Sequence, residues 1–75
     1  MNTAAKQIIV MHQGPDGATR AWATGPKGQL EKVRQRAARQ LWTYRQKRAS
    51  VGDPLATAEF LEVIEDLGQG TEEKA

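Results

Sequence analysis

The sequence predicts a small α+β fold: an N-terminal β-hairpin followed by a long basic helix and a shorter acidic helix, assembled as a homodimer. Three observations predict it. A β-branched run, Ile8-Ile9-Val10, stands before a turn sequence, Gly14-Pro15-Asp16-Gly17. A helix-period apolar stripe, Leu30, Val33, Ala37, Leu41, Tyr44 and Val51, lies in a segment rich in helix formers. A second stripe, Leu55, Ala58, Leu61, Ile64 and Leu67, follows an Asp53-Pro54 helix start.

In chain order, residues 1–6 read as a flexible arm and residues 7–68 as a single small domain. The hairpin is expected over 7–24. Pro15 presets the corner of a type I turn, Asp16 can bond its own turn backbone, and Gly17 accepts a left-handed conformation. Alternation assigns Ile8, Val10 and His12 to one face and Ile9 and Met11 to the other. The first strand is therefore apolar on both sides. A two-stranded hairpin cannot cover both, which is the reason for expecting a homodimer. On the returning strand, Arg20 and Trp22 are expected to share a face.

The turn Gly25-Pro26-Lys27-Gly28 leads into a helix expected over 29–49, with Ala38 and Trp42 widening its apolar stripe. Gly52 would end it as a left-handed cap. The second helix is expected over 54–67, flanked by Phe60 and Val63 and stopped by Gly68. Residues 69–75, QGTEEKA, read as a disordered acidic tail.

Charge is divided along the chain. Residues 27–48 carry eight cations, Lys27, Lys32, Arg34, Arg36, Arg39, Arg45, Lys47 and Arg48, against one acid, Glu31. Residues 49–75 carry seven acids, Asp53, Glu59, Glu62, Glu65, Asp66, Glu72 and Glu73, against Lys74. Such asymmetry implies partners of opposite charge, inside or outside the chain.

Several classes are not expected. With 75 residues, the chain has little material for both a substrate pocket and the shell that supports one. There is no cysteine, so neither a disulfide nor a thiolate metal site can form, and a single histidine excludes a multi-histidine zinc site. No cofactor and no metal are expected. His12 reads as a structural residue at a strand end. Glu62, Glu65 and Asp66 read as a solvated face rather than acid–base pairs, since nothing nearby would shift them. GPDGATR and GPKG lack the spacing of phosphate-binding loops. No apolar run is long enough to cross a membrane, and the lack of cysteine fits a cytoplasmic protein.

The aromatic residues divide. Trp42 and Tyr44 are expected to pack the long helix onto the hairpin. Trp22, set among alanines, is the expected partner-binding residue.

A hairpin followed by a helix containing AARQLWTY, Ala37 to Tyr44, resembles the antitoxin half-folds that neutralise small ribonuclease toxins. It is similar also to the arm domains of phage integrases. Both resemblances cover residues 7–48. Both families carry a third strand that the sequence pattern does not reveal, and neither supplies a motif by which a functional residue could be carried over.

The expected function is that of a small non-enzymatic regulatory protein binding nucleic acid through its basic helix. Lys32, Arg34, Arg36, Arg39, Arg45, Lys47 and Arg48 would neutralise phosphates. The alternative is a protein-binding adaptor or inhibitor, encoded by a phage or mobile element, that recognises its partner by charge complementarity.

Overall fold

A computed structural model describes residues 6–69. It is α+β, with a three-stranded antiparallel sheet and one long helix. The strands are β1 (Lys6–Gln13), β2 (Thr19–Pro26) and β3 (Leu61–Gln69), and the helix is α1 (Leu30–Ser50). The sheet order is β2-β1-β3, so β1 is central.

The hairpin forms as its sequence predicts. Gly17 takes the left-handed conformation at φ 85°, and its N–H donates to Gly14 O at 2.9 Å. Asp16 accepts from the Ala18 N–H at 3.1 Å, closing the turn from its own side chain. Val10 pairs with Ala23 and Met11 with Trp22 across the ladder. The two faces of β1 separate as alternation requires. Ile8 and Val10 are buried beneath the helix, whereas Ile9 and Met11 are only half-buried on the opposite face, which no other described element covers.

Helix α1 follows a short 3-10 turn, Lys27–Gln29, and begins and ends within one residue of its expected bounds. Its stripe is buried unevenly. Val33 and Ala37 are buried against Ile8, Val10 and Ala23, while Leu30, Leu41 and Tyr44 are half-buried. Contact between helix and sheet is close because β2 offers small residues at the crossing: Ala21, Ala23 and Gly25 are all buried. A methyl group on Gly25 would come within 2.6 Å of Val33 Cγ2.

The expected second helix over 54–67 does not form. Its start is real: Asp53 Oδ1 accepts from the Leu55 N–H at 2.9 Å, with Pro54 in the first helical position. The helix ends after one 3-10 turn, Pro54–Ala56, and Leu61 to Gln69 become β3. The physical reason lies in β1, whose second edge needs backbone partners. Residues 61–69 supply them along the whole strand, from Gln13↔Leu61 to Lys6↔Gln69. Gly68, expected to stop a helix, instead sits at φ 80° where the register of this pairing shifts.

Other bounds shift less. Lys6, placed in the expected arm, is the first residue of β1, and Gln69, placed in the expected tail, is the last of β3. The rest of that arm and tail, residues 1–5 and 70–75, lies outside the described residues. The structure is of a single chain and does not show the expected homodimer.

The second half of α1 is held by the loop that follows it. Tyr44 meets Phe60 edge-on at 6.2 Å between ring centroids. The Arg45 guanidinium lies 5.0 Å over the Phe60 ring and donates to Ala56 O at 3.1 Å. Arg48 donates to Asp53 Oδ2 at 3.3 Å and lies over Tyr44.

Three substitutions check this packing by chemical denaturation. Val33→Ala removes a side chain that is only 1 % exposed and should cost about 1.5–3 kcal/mol. Gly25→Ala should cost about 1–3 kcal/mol by forcing the helix off β2. Leu41→Ala, at a half-buried position, should cost less than Val33→Ala.

Candidate nucleic-acid interface

The cations expected to bind phosphate project from two flanks of α1. Arg36 and Gln40 point to the outer edge of β2: Arg36 donates to Thr24 O, and Gln40 Oε1 accepts from the Trp22 N–H at 3.3 Å. Lys32, Arg36, Thr43 and Lys47 recur on this flank at helical spacing, with Arg39 beside them. From Lys32 to Lys47 the stripe runs about 22 Å at the helical rise. A groove of about 370 Å3 along it is lined by Arg36, Arg39, Gln40 and Thr43.

The opposite flank faces β3 and the loop after the helix. Arg34 donates to Glu62 at 3.1 Å and to Glu31 at 3.0 Å. The hydrogen bonds to Glu62, then those to Glu31, raise the Arg34 pKa further above its ordinary value. Arg45 and Arg48 are engaged by Phe60, Ala56 and Asp53, and Lys27 lies 3.7 Å from Asp66.

Sequence spacing therefore named seven residues that the fold divides. Among the described residues, Lys32, Arg36, Arg39 and Lys47 make no ion pair with a carboxylate; Lys32, Arg36, Arg39 and Lys47 are also exposed. Arg34, Arg45 and Arg48 are half-buried and held within the chain. The acids Glu62 and Asp66 lie on β3, at the sheet edge away from β2.

Trp42 departs from expectation. It was expected in the core, yet it is 63 % exposed, because it lies on the face of α1 opposite Val33 and is turned away from the sheet. It stands one turn from Arg39 on the outer surface. Trp22 pairs with Met11 on the uncovered face of the sheet and is 51 % exposed. It does not share a simple alternation with Arg20, because the ladder shifts register between His12 and Gln13. Arg20 instead forks onto Asp16, at 2.9 and 2.6 Å.

His12 lies opposite Ala21 and Glu62 in the two ladders, and its Nε2 is buried without a hydrogen-bond partner among the described residues. Among those residues no three His, Cys, Asp or Glu side chains come together as a metal site, and no helix is long and apolar enough to cross a membrane.

Comparison with protein-family models, curated proteins and solved structures returns no match.

The turn supplies a pH-dependent prediction. Hydrogen bonds from Arg20, then from the Ala18 N–H, lower the Asp16 pKa to about 2. A lowered folded-state pKa means the contribution is complete above the unfolded value and is lost as pH falls through about 2. Carboxyl chemical shifts followed by NMR should titrate with that midpoint, and Arg20→Ala should return Asp16 toward the ordinary carboxylate range.

Proposed function

We propose that this protein is a small regulatory nucleic-acid-binding protein, acting as a homodimer, whose phosphate contacts come from the β2-side flank of α1. The observation that carries this reading is the segregation of charge across the sheet. Lys32, Arg36, Arg39 and Lys47 form a stripe without carboxylate partners among the described residues, while Glu62 and Asp66 are drawn to β3 and occupied by Arg34 and Lys27. An acidic element beside the stripe would repel a phosphate backbone, and the strand order puts β3 two positions from β2. Cations recurring along about 22 Å can each displace a counterion from the nucleic acid. Trp42, exposed one turn from Arg39, is placed to stack on an unpaired base. Catalysis has no part in this reading.

A second reading is favoured by one observation. Trp22, Met11 and Ile9 make an uncovered apolar strip on the back of the sheet. This strip suits an adaptor or inhibitor, phage- or mobile-element-encoded, that docks on a partner protein.

The deciding experiment is a salt titration of binding to single- and double-stranded oligonucleotides. The wild type should show a log–log slope of several. Replacing Lys32, Arg39 and Lys47 by Ala should flatten it by about one unit per residue, whereas Arg34→Ala should leave it nearly unchanged. Trp42→Ala should weaken single-stranded binding more than double-stranded. Absence of binding at low salt would overturn the nucleic-acid reading. Loss of affinity in Trp22→Ala alone would favour the second.

A further inference from the structure

The two edges of the sheet are not equivalent. On β2 the outward backbone groups are those of Trp22 and Thr24, since Trp22 N–H is taken by Gln40 and Thr24 O by Arg36. Pro26, at the end of the same edge, has no N–H to offer. Helix side chains and a proline thus blunt β2 against another strand.

Antiparallel pairing fixes the rest by alternation. If Trp22 and Thr24 point outward, then Ala21, Ala23 and Gly25 bond to His12, Val10 and Ile8. Ile9, Met11 and Gln13 then bond to Glu65, Val63 and Leu61. The backbone groups of Glu62, Ile64 and Asp66 therefore point out of the sheet, and among the described residues no side chain or backbone group caps them. Ile64, in the middle of this edge, is 43 % exposed.

We infer that the outer edge of β3 is the interface to a second copy of this chain, paired antiparallel about a two-fold axis at Ile64. This rests on the homodimer in the proposed function and is independent of its phosphate contacts. Because β2 is blunted, a β3-to-β2 contact that would propagate into a filament is disfavoured, and the closed two-fold contact remains. The register puts Ile64 against Ile64 of the second copy and Glu62 against Asp66 of the second copy. These carboxylates do not meet bare: Arg34 holds Glu62, as well as Glu31 on its own helix, and Lys27 holds Asp66, so each crossing sets a cation beside each of the two facing acids. The back face is a weaker candidate. It spans roughly 14 × 26 Å, or about 360 Å2, less than half the area per partner of a standard interface. Edge pairing also buries little area, so the association should be reversible and concentration-dependent.

Sedimentation across concentration, up to millimolar, tests it. The wild type should pass from monomer to dimer. Ile64→Lys, which opposes two cations at the axis, should remain monomeric with an unchanged circular dichroism spectrum. The native chain has no cysteine. In Ile64→Cys the facing Cα atoms would lie about 5.5 Å apart, within disulfide range, and the variant should cross-link on mild oxidation faster than Trp42→Cys. A wild type that stays monomeric, a dimer that survives Ile64→Lys, or equal cross-linking of the two cysteine variants would overturn the proposal. Monomeric Ile64→Lys should keep the salt slope of binding per chain, so failure of the interface and failure of the nucleic-acid reading are read separately.

Discussion

β1 has to satisfy hydrogen bonds on both of its edges, and the rest of the molecule follows from that. Its residues are apolar on both faces and its backbone donors and acceptors point alternately left and right. The hairpin turn supplies β2 on one side. The other side is filled by chain that returns after the helix, as β3, over the full length of β1. The helix is therefore enclosed in sequence between two strands that flank a third, and its position over the sheet is constrained at both ends.

Packing on that sheet is a matter of small residues. Ala21, Ala23 and Gly25 let α1 approach β2 closely enough for Val33 and Ala37 to be fully buried. The core that results is small, with Val10 and Val33 its largest completely buried side chains. The helix is longer than this contact. Its second half is secured instead by Tyr44, Arg45 and Arg48 on Phe60, Ala56 and Asp53, which ties the loop to the helix with aromatic and charged contacts rather than buried aliphatic ones.

The same geometry sorts the charges. An arginine on the β3 side of α1 finds a carboxylate, as Arg34 does, because β3 alternates Glu62, Ile64 and Asp66 on the face beneath the helix. An arginine on the β2 side meets backbone, as Arg36 does at Thr24, because β2 carries no acid. One basic helix thus acquires a neutralised flank and an open one. The edges of the sheet inherit the same asymmetry, one covered by helix side chains and the other bare among the described residues.

The sequence by itself determined the elements whose causes are local. The Gly14–Gly17 turn, the two faces of β1, the extent of α1 and the Asp53-Pro54 start are each set by residues within a few positions of one another. Cation density was equally legible, and helical spacing alone separates residues 32, 36, 39 and 47 from 34, 45 and 48; which of the two groups meets carboxylates was not, because that depends on what the fold places across from each. Tertiary structure decided β3. Leu61, Ile64 and Leu67 repeat at helical spacing, yet Val63 and Ile64 are β-branched, and the local pattern admits either state. The unpaired edge of β1, some fifty residues earlier in the chain, settles it, since only an extended strand can answer a row of exposed N–H and C=O groups. How far the α1 stripe is buried has the same origin: helical spacing shows which side can be covered, and what lies across from it decides that Val33 and Ala37 are buried while Leu41 and Tyr44 are half-buried.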